Sequence, residues 1–443
     1  MKFLEVIDKK FELSKRNSSL GTEFIGGLTT FAAMSYILAV NPVILANAGM
    51  DKAAVLTVTA LAATFGCWMM ALLANLPIAL APAMGTNSYF AIIICLGMGL
   101  SWQQALALTF YNGIFFLLIS ITGIRQKLIY GVPKPLQIGL QCGIGVFIAF
   151  LGFQSAHIVV KDDITLVTVG QLASSECMLA LLGVALMAVL MARKVKGAII
   201  LTILFITLLS FLIKDSSGNT IAKVPDAVFS LPHGISETFL KLDFMYPIRN
   251  FNEAIRVIFV LLMLDMLDTI ATVIAMGRRS GLMDKNGRMP NMGKALVADA
   301  SATIFGALLG TSTTGSYVES SAGIEAGAKT GLSSIFVGVF FILSLFLTPL
   351  IQSVPAVATA PALIIVGVMM MQGLREINVD DFAELVPAVF CMLMIAFSFK
   401  ISEGFAFGMI AYVLLLLSTK RAREISPTAW VLFALMCAFM ASV

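Results

Sequence analysis

The stretch "APAMGTNSYFA", Ala81 to Ala91, lies in a run from Ala53 to Ile124 that contains no Asp, Glu, Lys or Arg. An uncharged run of that length reads as several membrane helices joined by tight turns. Pro82, Gly85, Thr86, Asn87 and Ser88 are out of place in the middle of such a helix. Pro and Gly interrupt helical backbone, and an Asn amide needs partners that lipid cannot supply. The stretch therefore predicts a broken helix whose freed backbone and polar side chains hold a ligand.

The rest of the 443-residue chain supports a membrane setting. It is 59% hydrophobic and 12% charged, against about 25% charge for a soluble domain. The apolar runs lack the short alternating segments of a barrel, so the expected fold is an all-α polytopic membrane protein. The first twenty residues are polar and charged and read as a cytoplasmic segment, not a signal peptide. The net charge of +4 speaks to topology and does not point to nucleic acid. Six Cys are scattered without paired metal spacing, and the two His, His157 and His233, lie outside clear spans. No metal and no cofactor are expected.

Spans are expected near 23–48, three within 53–124, then near 135–153, 174–192 and 195–213. A polar connection separates a second set near 253–277, 291–309, 311–328, 331–350 and 354–372. Two or three crossings follow, for about fourteen in all. Basic clusters at Lys9, Lys10, Lys15 and Arg16, at Arg125 and Lys127, at Arg193, Lys194 and Lys196, and at Arg278 and Arg279 fall on one side of the membrane. Lys420, Arg421 and Arg423 keep the same parity. The positive-inside rule then puts the N-terminus in the cytoplasm. "GTNSYFA" (85–91) is echoed by "TTGSYVES" (313–320), with Ser88-Tyr89 matching Ser316-Tyr317. Each lies in the third segment of its half. Seven spans per half make the second copy inverted, a recurring transporter plan.

Acidic residues occur within the second set. "LLMLDMLDTIATVIA" (261–275) carries Asp265 and Asp268, three apart and so on one helical face. Asp299, Glu319 and Glu325 follow in the next two segments. A charge at that depth faces a cavity or pins a neighbouring helix. No Lys or Arg sits mid-span beside them, and carboxylates without a fixed cation suit a proton-coupled carrier. Two carboxylates, an amide, backbone N–H groups at a half-helix start and the rings of Tyr89 and Tyr317 suit a flat neutral molecule rich in N–H and ring nitrogen.

"PVILANAGMDKAAV" (42–55), "ANLPIALAPAMGTNSYFA" (74–91), "LDMLDTIAT" (264–272) and "GTSTTGSYVESSAGIEAGAKTGLSS" (310–334) resemble the AzgA-type purine permeases. These form a branch of the nucleobase–cation symporter-2 (nucleobase–ascorbate transporter) family. The likeness covers essentially the whole chain. It implies the uracil-permease fold, with fourteen segments in two inverted repeats of seven and short strands opening segments 3 and 10, here 81–87 and 311–317.

The implied organisation is a cytoplasmic segment 1–20, core segments 1–4 at 21–124, gate segments 5–7 at 125–213, an extracellular connection at 214–251, core segments 8–11 at 252–350 and gate segments 12–14 at 351–443. The implied function is import of a purine nucleobase, with protons, across the cell (inner or plasma) membrane. The core would move against the gate like an elevator. Related folds dimerise through their gates, which makes a homodimer the expectation.

By the family's motifs the substrate-binding set falls on Asp268, Glu319, Asn87, Gly85, Tyr317, Val318, Thr86, Ser88 and Phe31. Proton coupling falls on Glu319, Asp268, Asp265 and Asp299. The chain departs from the usual family residues at Ala83, Thr86, Ala271 and Gly315. These positions line the expected pocket, which leaves adenine, guanine and hypoxanthine all open. The alternatives are an anion carrier of the same fold, for sulfate or bicarbonate, and a sodium-coupled nucleobase carrier. An intramembrane aspartyl protease is disfavoured because its Tyr-Asp and Gly-x-Gly-Asp motifs are absent.

Overall fold

The structure is a computed structural model that describes residues 2–122, 132–163, 165–195, 197–215, 218–225, 227–282, 289, 291–398 and 401–441. Arg125, Lys127 and Lys196 lie outside the described residues. The protein is mostly helical. Among the described residues, eight helices are long and apolar enough to cross a membrane, and four shorter apolar helices accompany them. The chain forms two compact units, Met1–Ile121 with Ser174–Thr359, and Thr122–Ala173 with Ala360–Val443.

In the first unit, the segment from Leu20 to Ala46 is broken between Leu20–Met34 and Ile37–Ala46. The helix Lys52–Met69 widens into a π turn at Met70–Ala74 and stops at Asn75, whose φ is +51°. The chain then runs extended. Strand β1 (Leu80–Pro82) pairs antiparallel with β4 (Thr314–Ser316), with Leu80 opposite Ser316, Ala81 opposite Gly315 and Pro82 opposite Thr314. The expected strands 81–87 and 311–317 are thus shorter. Ala83 is the extended cap of a helix that starts at Met84, so Gly85, Thr86, Asn87 and Ser88 lie in helical turns. Pro82 has no N–H to extend the ladder, and helix geometry takes over two residues later. The second strand likewise gives way to the half-helix Ser320–Glu325, capped by Glu319.

Irregular backbone deep in a membrane protein must satisfy its polar groups within the protein. The two strands do so for each other on their facing edges, and two side chains do so on the outer edges. The Cys67 thiol donates to the Leu80 carbonyl at 3.3 Å and accepts from the Leu80 N–H at 3.2 Å. The Thr303 hydroxyl donates to the Thr314 carbonyl at 3.0 Å and accepts from the Thr314 N–H at 3.3 Å. The strand-end bonds match too, with Ala83 N–H donating to the Thr313 carbonyl and Tyr317 N–H to the Ala79 carbonyl, both at 2.9 Å.

This pattern has two-fold symmetry. It places Ala81 over Gly315, Ala83 over Tyr317 and Gly85 over Glu319. The sequence match of Ser88-Tyr89 to Ser316-Tyr317 is out of register with it, because Ser88 and Tyr89 are helical while Ser316 is in the strand.

Buried charge ties the ends of this unit. Glu23, fully buried, accepts from the N–H groups of Lys329, Thr330 and Ser333 at 3.0, 3.3 and 3.2 Å. It thereby fills the donors at the start of helix Gly331–Ser344. Arg16 donates to the carbonyls of Asn75 and Lys329 at 2.8 and 3.0 Å. The N-terminal residues Phe11 and Leu13 pack on Ala71 and Leu332.

The second unit is built on close helix contact. Helix Lys134–Ser155 approaches its neighbours through glycine; a Cβ on Gly145 would lie 2.6 Å from the Gly367 carbonyl oxygen. Strands β2 (Val159–Asp162) and β3 (Leu166–Val169) form an antiparallel hairpin. Beyond the helix Ile401–Ser418, Arg421 donates to Asp381 at 2.7 Å and to Glu424 at 2.8 Å. Its guanidinium holds both carboxyls below the usual carboxylate range.

Candidate functional site

The site forms where both half-helices begin, inside the first unit. Glu319 ends the extended stretch after β4, at the cap of the second half-helix. Its Oε1 accepts a hydrogen bond from the Tyr36 hydroxyl at 2.5 Å. Tyr36 stands at the break in the first span and is itself buried. Asp268, from helix Phe251–Arg279, has an exposed side chain. It lies within electrostatic reach of Glu319, and both carboxylates act on Tyr317. Val318 is 44% exposed between the buried Tyr317 and the half-buried Glu319, and Phe31 and Gly85 are half-buried. Asp268, Val318 and Glu319 therefore line an open face with Tyr317 behind it. Among the described residues, neither carboxylate forms an ion pair with Lys or Arg.

Tyr317 does not offer a free hydroxyl. Its OH donates to the Pro82 carbonyl at 2.6 Å, which fastens the second half of the break to the end of β1. Thr86 is also committed: its hydroxyl donates to the Ala83 carbonyl at 3.0 Å and accepts from the Thr313 hydroxyl. Ser88 is fully buried behind the half-helix start.

Asn87, expected among the substrate-binding residues, has its amide committed within the protein. Fully buried, it donates through Nδ2 to Asn41 Oδ1 at 2.6 Å and accepts at Oδ1 from the Ser312 hydroxyl. Asn41 donates in turn to the Thr59 and Thr311 hydroxyls at 2.8 and 3.2 Å. This network joins the first span, the first half-helix and the turn before β4. Removing one member strands buried partners, at a cost of about 1–3 kcal/mol. Asn41→Ala and Asn87→Ala are therefore expected to lower the melting temperature alike and to reduce uptake of every substrate by a common factor. A change in substrate preference in Asn87→Ala alone would return the amide to the pocket.

The remaining acids are held by neighbours. Asp299, fully buried, accepts from the Thr269 hydroxyl at 2.7 Å, which pins helix Met292–Leu309 to helix Phe251–Arg279. Asp265 accepts from Asn112 Nδ2 at 3.3 Å and lies 3.4 Å from the Thr303 hydroxyl, whose proton goes to the closer Thr314 carbonyl. It thus stands behind the Thr303 that braces β4. An added Cβ on Gly315 would sit 3.9 Å from Asp265 Oδ1 and 3.4 Å from Ala83 Cβ, so this departure from the family's usual residue leaves space between β4 and the acid. Glu325 is exposed.

Tyr36, Asn41, Cys67 and Thr303 escaped the sequence reading. Asn41 had a usable signal, since it is an amide beside Pro42 within an apolar span. Tyr36 and Cys67 had none, being ordinary members of apolar runs.

A paired-strand break with two carboxylates, set among helices long and apolar enough to cross a membrane, fits a membrane permease. The chain belongs to the permease family whose model (Xan_ur_permease, "Permease family") matches residues 21–409, the nucleobase–cation symporter-2 family. It is 38% identical over 422 residues to the adenine permease AdeP of Escherichia coli, covering 95% of this chain and 93% of that one. To the guanine/hypoxanthine permease PbuG of Bacillus subtilis it is 37% identical over 434 residues, covering 96% and 97%. Among solved structures, the transmembrane domain of the cyanobacterial bicarbonate transporter BicA matches with a TM-score of 0.63 at 15% identity, over 90% of this chain and 97% of that one. That likeness concerns the fold alone.

Proposed function

We propose that the protein imports purine nucleobases, adenine, guanine or hypoxanthine, by proton symport. The observation that carries this reading is the exposed Asp268 beside Glu319 at a half-helix start, with no ion pair to Lys or Arg at either among the described residues. Carboxylates accept hydrogen bonds from ring and exocyclic N–H groups, which purines present along an edge. Backbone N–H groups at the start of the first half-helix are donors for ring nitrogens and carbonyls, whereas those of Ser320, Ser321 and Ala322 at the second are bonded to the carbonyls of Tyr317, Val318 and Glu319. The adenine and guanine/hypoxanthine permeases among its relatives support the same substrate class.

The BicA-like fold raises an anion carrier as the second reading. Two carboxylates with no ion pair to Lys or Arg among the described residues would repel an anion, and competition by bicarbonate or sulfate is expected to leave purine uptake unchanged. On our reading the transporter sits in the cell membrane with its N-terminus in the cytoplasm, as a homodimer. Core segments 1–4 and 8–11, arranged as an inverted repeat, move against gate segments 5–7 and 12–14.

The test is uptake of radiolabelled adenine, guanine, hypoxanthine, xanthine and uracil into cells lacking their own carriers. Uptake of at least one purine should rise as external pH falls and collapse with a protonophore. Uptake that follows a sodium gradient at fixed pH would overturn proton coupling and make the acids sodium ligands.

A further inference from the structure

We infer that Tyr36 is a positioning residue that fixes which oxygen of Glu319 meets the substrate. This inference rests on the reading of Glu319 as a substrate ligand, and the experiment below separates the two.

The first span is interrupted at Ser35 and Tyr36, between helices ending at Met34 and starting at Ile37. The break is not at its proline, since Pro42 lies inside the second piece. It places a buried tyrosine ring so that its hydroxyl reaches across to the cap of the second half-helix. The bond to Glu319 Oε1 is 2.5 Å long, the short length of a hydroxyl donating to a carboxylate. A phenol has a single proton to donate, and it is spent on this oxygen. Oε1 is thus held against the first span, which leaves Oε2 as the acceptor for a base N–H.

Gly26 and Gly323 bring the first span and the second half-helix into backbone contact, with a Cβ on Gly26 falling 3.1 Å from the Gly323 carbonyl oxygen. The Tyr36 bond holds the Glu319 carboxylate in one orientation. Such pre-orientation removes the freedom that a glutamate side chain would otherwise lose on binding.

The test compares equilibrium binding of radiolabelled adenine, guanine and hypoxanthine to the purified full-length protein. Its variants are wild type, Tyr36→Phe, Glu319→Gln and the double variant. Tyr36→Phe is expected to raise Kd about tenfold, the size of one hydrogen bond to a charged group, while Vmax for uptake stays near wild type. In the Glu319→Gln background the same change should cause no further loss, because an amide released from Tyr36 can turn its carbonyl toward the base.

An equal loss in both backgrounds would make Tyr36 a packing residue and overturn the inference. Wild-type binding by Tyr36→Phe, with Glu319→Gln weakened, would overturn it while leaving Glu319 in the site. Wild-type binding by Glu319→Gln would remove Glu319 and the inference together. Should Tyr36→Phe fail to purify as a single species, Glu319→Asp withdraws the carboxylate from Tyr36 instead. Glu319→Asp, which keeps the charge but loses the Tyr36 bond, should then bind about tenfold more weakly than wild type, and wild-type binding by Glu319→Asp would overturn the assignment.

Discussion

Glu319→Gln is expected to leave the protein in the membrane and to weaken purine uptake tenfold or more. The carboxylate sits at the cap of the second half-helix with one oxygen bonded to Tyr36. A glutamine keeps that bond through its carbonyl oxygen. Its other end becomes an NH2, which presents donors to the donors of a base. Losing a hydrogen bond to a charged acceptor costs about 1.5–3 kcal/mol. The loss should appear in KM and in equilibrium binding, with normal surface abundance and melting temperature. Near-normal uptake by this variant would take Glu319 out of the site.

The second large effect is expected far from any substrate atom. Gly323 in the second half-helix has no room for a methyl group, since a Cβ there would run into the Gly26 carbonyl oxygen and the Thr30 hydroxyl. Thr30 can rotate aside, but the Gly26 backbone cannot. Gly323→Ala should therefore push the half-helix from the first span, at a cost of about 1–3 kcal/mol for overpacking, and carry Glu319 away from Tyr36. The expected result is a lowered melting temperature and loss of uptake for every base. Gly234 is the control, because a Cβ there meets nothing and alanine should change neither quantity. Normal uptake by Gly323→Ala would show that the contact between these backbones does not set the site.

The two variants differ in kind. Glu319→Gln removes a charge from a standing scaffold, so stability is kept and affinity falls. Gly323→Ala shifts the scaffold, so both fall. Measuring melting temperature beside uptake separates them.

The sequence by itself determined the membrane class, the helical fold, the place of the break and the acids that attend it. These follow from local chemistry: apolar length, helix breakers and charges where lipid should be, each readable from a short window. It also placed Asp268 and Glu319 together through motif likeness.

Tertiary structure decided how the break is held and which partners its side chains take. The strands proved to be three residues each because Ala83 already caps a helix. The register of the two strands came from bonds such as Ala83 to Thr313 and Tyr317 to Ala79, which join residues far apart in the chain. The letter match at Ser88-Tyr89 carried no such information.

The Asn87 amide is committed within the protein because Asn41 and Ser312 bond to it. Tyr36 joined the site because a break in one span faces a cap in another. A side chain's direction depends on which partner satisfies its polar atoms inside lipid, and that partner is set by helix packing rather than by neighbours in sequence.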